Sequence, residues 1–486
     1  MSEIIPHWLS KQAQLKPKKQ AIELQDGTSL TFQELEEKSK RFARKLAQTG
    51  VLEGTHIGIL SGNNLDMVIA IHALSYLGAI GVLFNTRLTT EELTYQANDA
   101  RVSMILSSHH FYDQAKQIQS SLTVFRFSDI EQLEEKEVSL RCEINLSEPF
   151  TIIYTSGTTG KPKGVVHTYG NHWWSAVGSA LNLGVHTDDK WLNPLPLFHV
   201  GGLAVLIRSV MYGMPVFLME RFDETAVQEA IMKKDVTIAS VVTVMLQRLV
   251  EVLEEGTYPD HFRCMLLGGG PAPKPLLENA KARNIPVFQS YGMTETSSQI
   301  VTLSPQDALN KIGSAGKPLF PAQLKIDAAP NEVGEIFVKG PMVTSGYFNK
   351  PAATAKAFVD GWLATGDLGY VDEAGFLYVV ERRTDLIISG GENVYPSEVE
   401  SVLSGMDGIR EVGVVGKQDD QWGQSPVAFV VTDSPSITKE AIIAYAKKRL
   451  AKYKLPTAIY FVEQLPRNAS NKLMRQTLVK WLRDKS

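Results

Sequence analysis

The segment Tyr154-Thr155-Ser156-Gly157-Thr158-Thr159-Gly160-Lys161-Pro162-Lys163-Gly164 gathers three glycines, four Ser/Thr hydroxyls and two lysines. It follows directly on Phe150-Thr151-Ile152-Ile153, which reads as a short buried strand. Glycines let a backbone turn tightly and aim several N–H groups at one centre, and hydroxyls and ammonium groups add donors. Such a concave set of donors suits a polyphosphate. It is not a Walker A loop: the second glycine of G-x-x-x-x-G-K-[ST] falls on Pro162 when counted from Gly157, and on Val165 from Gly160. The segment therefore points to ATP held by another scheme than that of a P-loop ATPase.

Further candidates sit where strand-like runs end. One run leads into Gly268-Gly269-Gly270-Pro271-Ala272-Pro273, another into Ser290-Tyr291-Gly292-Met293-Thr294-Glu295. A glycine triplet permits close backbone approach to a flat ligand, although a plain strand-to-helix turn explains it too. Taken alone, Glu295 reads as a loop glutamate, Asp367 beside Gly366 as a turn residue, and Lys472 as a lysine near the chain end. His199, after Leu195-Pro196-Leu197-Phe198, reads equally as a core histidine, and Trp173, Trp174 and Trp191 as core or as walls of an aryl pocket.

The elements that must position these residues alternate. Toward the N-terminus a helix from His7 to Ala13 precedes a hairpin around Asp26-Gly27. Then come a helix (Phe32 to Gln48), a strand (His56 to Leu60), a helix (Leu65 to Leu77), a strand (Ala79 to Phe84) and a helix after Thr89-Thr90. The middle repeats this grammar, with strands at Pro215–Met219, Val236–Val241, Arg263–Leu267 and Ile285–Gln289. Helical patterns lie between them at Glu224–Lys233, Val244–Glu254 and Lys274–Arg283. Alternation predicts parallel sheets with helices on their faces, and ligands beyond the carboxyl ends of the strands.

From about Ile312 to Tyr378 short β segments and glycine turns predict a small barrel or meander, and the last hundred residues carry an α+β pattern of their own. The expected fold is thus α/β: two parallel-type α/β subdomains plus a small β-barrel-like subdomain, then a small α+β C-terminal domain. Charged residues at Glu381-Arg382-Arg383-Thr384-Asp385 separate two apolar strand-like runs and place the boundary at 382–385, between 1–381 and 386–486.

Bulk properties narrow the function classes. The 486 residues are too many for one ordinary core. Net charge is −4 with no long basic run, which disfavours nucleic acid. Two distant cysteines, Cys142 and Cys264, argue against a disulfide framework or a thiolate metal site. No run of about 18 apolar residues occurs, so no membrane span is expected and a cytoplasmic location is. A homo-oligomer stays open.

In their order along the chain these segments resemble the adenylate-forming superfamily of acyl- and aryl-CoA synthetases, luciferases and peptide-synthetase adenylation domains. The resemblance rests on loop 155–164, Tyr291-Gly292-Met293-Thr294-Glu295, Thr365-Gly366-Asp367, Arg382 through Gly390-Gly391, and Pro466-Arg467-Asn468 leading to Lys472. Within it, Pro196-Leu197-Phe198-His199, Gln299-Ile300-Val301-Thr302 and Ser389-Gly390-Gly391-Glu392-Asn393-Val394-Tyr395-Pro396 are most similar to the o-succinylbenzoate–CoA ligases of menaquinone biosynthesis.

The resemblance implies a carboxylate activated by ATP and Mg2+ as an acyl-adenylate, then passed to coenzyme A. It implies Thr155, Ser156, Gly157, Thr158, Thr159, Gly160 and Lys163 on the phosphates, Glu295 with magnesium, Thr294 on the α-phosphate and Tyr291 as a face for adenine. Gly269 and Gly270 would lie along the base, Asp367 and Arg382 at the ribose, Lys472 as catalytic lysine and His199 at the acyl pocket. Gly390 and Gly391 would meet the pantetheine after rotation about Thr384, where many members carry Asp or Lys. Another aryl or acyl acid, a carrier protein loaded in trans, and a catalytically silent nucleotide binder remain as alternatives. Arg208 is a candidate partner for a second carboxylate.

Overall fold

The computed structural model describes residues 3–118, 121–155, 161–269, 272, 274–304, 306–307, 310–311, 313–329, 331–381, 386–432, 434, 437–466 and 473–484. The first sheet runs in the order Lys163–Thr168, Pro149–Thr155, Ile80–Leu83, His56–Leu60, Met104–Ser107, Thr123–Arg126. All neighbours are parallel except the first pair. Parallel neighbours need crossovers, which helices Leu65–Leu77 and Thr90–Asp99 supply. Leu65–Leu77 is buried on nearly every side, starts on an Asn64 cap and stops at Gly78 with φ 68°.

The second sheet places Val287–Met293, Cys264–Gly268, Ile238–Val242, Trp191–Asn193, Val216–Leu218 and Gln20–Leu24 side by side and parallel. Adjacent parallel strands end at one edge. Val242, Gly268 and Ser290 therefore lie side by side, and the segments that follow them open on the same side of the sheet. The expected strand Ile285–Gln289 starts later and runs on to Met293, because residues 290–293 pair antiparallel with Ser298–Thr302. A Cβ at Gly292 would meet the Ser298 carbonyl at 2.1 Å, so glycine is required there.

The third unit is a five-stranded antiparallel meander built on Gly334–Lys339 and Trp362–Val371. From Ile387 onward the chain forms a separate five-stranded sheet, with helices Pro396–Ser404, Lys439–Lys447 and Arg475–Asp484 and apolar clusters of its own. The N-terminal helix lies at Trp8–Leu15 rather than His7–Ala13, with His7 as its N-cap residue and bonded to Ser75. Among the described residues no helix is long and apolar enough to cross a membrane.

Candidate active site

A cavity of about 270 Å³ opens where the strand ends of the second sheet, the meander and the C-terminal sheet converge. Thr155, His199, Arg208, Gly269, Thr294, Glu295, Asp367, Gly390 and Gly391 all line it. Residues from every part of the chain thus meet at one place. Ser156, Gly157, Thr158, Thr159, Gly160, Gly270, Arg382, Thr384 and Lys472 lie outside the described residues.

Thr155 ends strand Pro149–Thr155 and Lys163 begins the antiparallel strand Lys163–Thr168, so the glycine-rich segment links two strands of a hairpin. A Walker A loop instead feeds a helix. Beyond Met293 the chain tightens into a 3-10 turn, Thr294–Thr296. His167, whose pKa burial pushes down to about 4, is neutral there. Its Nε2 lies 2.7 Å from the Thr294 carbonyl. A carbonyl only accepts, so Nε2 carries the proton and pins the turn.

Glu295 is 6% exposed. Its Oε1 accepts the Tyr347 hydroxyl at 2.9 Å, and its backbone carbonyl accepts the Thr344 N–H at 2.8 Å. Burial raises its pKa from the ordinary 4.5, against the opposing pull of Tyr347 and Lys163. The Lys163 ammonium in turn stands 5.0 Å over the Tyr347 ring. Among the described residues no group of three or more His, Cys, Asp or Glu could hold a metal alone. One buried carboxylate beside a phosphate-type loop fits magnesium, which takes few protein ligands and fills its sphere with phosphate oxygens and water.

Asp367 is also buried, and its Oδ2 accepts the Tyr291 hydroxyl at 2.8 Å. The Tyr291 ring packs with Ile300, Val301 and Ile336 and is 3% exposed. Its hydroxyl, rather than an open ring face, is what reaches the site. Trp191 is a core residue beneath the Arg208 guanidinium, while Trp173 and Trp174 pack against two different cores.

The Gly390-Gly391 turn joins strands Ile387–Ser389 and Glu392–Val394 with φ of 59° and 83°. Two positive φ angles in a two-residue hairpin demand glycine. A Cβ at Gly390 would strike the Trp422 ring at 2.6 Å. Immediately after the turn, Glu392 reaches across to the large unit. Its oxygens accept from His199 Nε2 at 3.0 Å, Arg87 Nη1 at 3.1 Å and Asn85 Nδ2 at 3.2 Å. Burial pushes Glu392 up, but His199, Arg87 and Lys454 outweigh it and hold its pKa below the ordinary value.

Arg208, from helix Val200–Tyr212, is 2% exposed. It sits 5.4 Å over the Trp191 ring, and its guanidinium reaches Gln299 Oε1 and Ser175 Oγ only at 3.5 Å. Among the described residues its Nε has no hydrogen-bond partner, and no carboxylate pairs with the guanidinium. The residue types alone gave no sign of Tyr347, His167 or Arg87. Glu392 directly follows the glycine pair, which is the signal that could have found it.

The fold and site define an adenylate-forming enzyme, and the family models agree. Residues 9–348 match the model described as AMP-binding enzyme, and 398–472 match the AMP-binding enzyme C-terminal domain. The chain belongs to the AMP-binding enzyme family. It is 56% identical over 485 residues to the 2-succinylbenzoate–CoA ligase of Oceanobacillus iheyensis, covering 99% of this chain and 100% of the relative.

Among solved structures it resembles o-succinylbenzoate CoA synthetase from Bacillus subtilis. A double mutant of that enzyme bound to a product analogue, OSB-NCoA, is 47% identical, with 98% of each chain covered and a TM-score of 0.95. The same enzyme with its acyl-adenylate intermediate OSB-AMP, also 47% identical over 98% of each chain, gives 0.77. With ATP and magnesium ion it again gives 0.77 at 47% identity, over 98% of this chain and 100% of that one.

Proposed function

We propose that the protein ligates 2-succinylbenzoate to coenzyme A through an acyl-adenylate, releasing pyrophosphate and AMP, in the cytoplasm. The observation that carries the choice of acid is Arg208, a buried guanidinium in the cavity wall with no carboxylate partner among the described residues. An acid with only its reacting carboxylate gives it no partner, whereas an aromatic acid bearing a second carboxylate does.

In the first half-reaction an oxygen of the acid's reacting carboxylate attacks the α-phosphorus of ATP, and the bond to pyrophosphate breaks. Thr155, Ser156, Gly157, Thr158, Thr159, Gly160 and Lys163 hold the polyphosphate, and Thr294 meets the α-phosphate. Glu295, oriented by Tyr347, is the carboxylate for magnesium, which supplies charge neutralisation on the phosphate oxygens when bound. Gly269 and Gly270 lie along adenine. Asp367, oriented by the Tyr291 hydroxyl, takes the ribose hydroxyls together with Arg382. Lys472 bridges carboxylate and phosphate while charge builds. Little covalent chemistry falls to the protein, so positioning and charge do most of the catalysis.

In the second half-reaction the thiol sulfur of CoA, having given up its proton, attacks the acyl carbon, and the bond to AMP breaks. The Gly390-Gly391 turn at the cavity, anchored through Glu392 to His199, Arg87 and Asn85, favours this step for the orientation seen here. So does the better match to the product-analogue complex. Residues 386–486 act as the mobile domain, turning about 382–385 with Thr384 as pivot, and such motion is usual across polar interfaces. Lys472→Ala tests the division of labour. It abolishes pyrophosphate release while a supplied acyl-adenylate still reaches the thioester; equal loss of both steps contradicts the reading.

A further inference from the structure

Lys454 is the most deeply buried ammonium at the boundary between the large unit and the C-terminal sheet. It closes the 3-10 turn Lys452–Lys454, and its side chain is 4% exposed. Nζ donates to Glu398 Oε1 at 2.7 Å, on helix Pro396–Ser404 of the same domain. It also donates to Glu92 Oε1 at 2.6 Å, on helix Thr90–Asp99 of the large unit. The two glutamates are 5% and 9% exposed. None of the steps above uses this trio.

Glu92 has a second task. Its Oε2 accepts the Thr89 N–H and hydroxyl at 2.8 and 2.9 Å, completing a capping box at the start of its helix. One oxygen therefore fixes the carboxylate to its own helix, and the other is presented, preoriented, to the opposite domain. Around it the turn is inserted into the large unit: Ala451, 1% exposed, and Tyr453 pack in the cluster that holds Leu88, Leu93 and Ile152. A small polar chamber of about 110 Å³ runs from Lys454 past Tyr453 to Glu392, His199 and Thr155. The charge bridge and the Glu392 anchor thus flank one continuous space beside the active site.

Among the described residues of its own domain Lys454 hydrogen-bonds a single carboxylate, Glu398, with Glu392 acting on it only through space. An ammonium buried on one hydrogen-bonded carboxylate leaves donors unmet. The second carboxylate comes from the other domain and is correctly placed only when the domains are docked as here. A buried ion pair of this kind contributes little to bulk stability but discriminates strongly between arrangements that make it and those that break it. We propose that Lys454 is a positioning residue for the second half-reaction. Shared between Glu92 and Glu398, its ammonium selects the domain orientation that brings the Gly390-Gly391 turn to the cavity.

This rests on the two-step reading above, so the test separates the steps. In the full-length enzyme Glu92→Gln keeps the capping box, which accepts Gln as well as Glu, and with its oxygen on Thr89 it replaces the charged acceptor offered to Lys454 by a neutral NH2 donor. Pyrophosphate release from ATP and 2-succinylbenzoate, without CoA, is expected to stay within about twofold of wild type. Thioester formation from enzyme-bound acyl-adenylate on mixing with CoA is expected to fall about tenfold or more. Lys454→Met should give the same split, and the double variant should be no slower than Lys454→Met alone, since both remove one contact. Thioester formation at the wild-type rate in Glu92→Gln, or both steps slowed equally, overturns the proposal. A wild-type enzyme that releases no pyrophosphate overturns the functional reading itself, and the bridge's role with it.

Discussion

Tyr347 donates its hydroxyl to Oε1 of Glu295 at 2.9 Å, joining a residue after the meander's second strand to a buried carboxylate in the cavity wall. Burial alone would leave Glu295 free to rotate and reluctant to ionise. The phenol supplies one fixed donor, and Lys163 over the same ring adds a positive charge nearby. Tyr347→Phe removes the donor without changing the ring. The expected result is a requirement for magnesium raised roughly tenfold, about 1.5 kcal/mol, at nearly unchanged thermal stability. Magnesium titration of the ATP-dependent step checks it.

The same carboxylate sets a pH dependence. Its pKa is raised above 4.5 by burial, so protons compete with magnesium at higher pH than at an ordinary glutamate. KM for Mg-ATP is expected to rise as pH falls toward that raised value, and Tyr347→Phe should move the rise to still higher pH. A KM profile that stays flat down to 4.5 contradicts this.

Arg208 lines the cavity without a carboxylate partner among the described residues. Arg208→Met keeps most of the volume and removes the charge, so KM for 2-succinylbenzoate is expected to rise about 100-fold or more. Benzoate, which lacks the second carboxylate, should be used no worse than by wild type. The melting temperature should hold or increase, because a buried unpaired charge is lost. Steady-state kinetics on both acids, with calorimetry, read this out.

Acid stability follows from buried histidines. Burial lowers His72 and His167 from 6.5 to about 4, and His7 and His172 are lowered as well. The unfolded chain takes up these protons from pH 6.5 downward while the folded chain refuses them. Stability is therefore full above 6.5 and is lost toward pH 4, by roughly 3 kcal/mol for a histidine shifted that far. Denaturant melts across this range should show the loss, and His72→Leu should make it shallower.

Much of the architecture was legible because strand and helix patterns alternate cleanly and the glycine-rich segments punctuate them. The positions of Thr155, Glu295, Asp367 and the Gly390-Gly391 turn were legible for the same reason. Helix Val200–Tyr212 was not read, since Pro196 and Gly201-Gly202 look like breakers; they stand at its entry, where a Cβ at Gly202 would meet the Pro196 carbonyl at 2.2 Å. Tyr347, His167 and Arg87 were invisible because their partners lie 52, 127 and 305 residues away, beyond any local periodicity. The Tyr291–Asp367 contact was illegible for a related reason: pairing with Ser298–Thr302 buries the Tyr291 ring and turns its hydroxyl toward Asp367.

The most direct test of the account is AMP release from ATP and CoA with 2-succinylbenzoate, benzoate, a cinnamate and medium-chain fatty acids in parallel. The buried guanidinium predicts a kcat/KM for 2-succinylbenzoate about 100-fold or more above that for benzoate. Preference for a monocarboxylic acid, or no AMP from any of them, would contradict it.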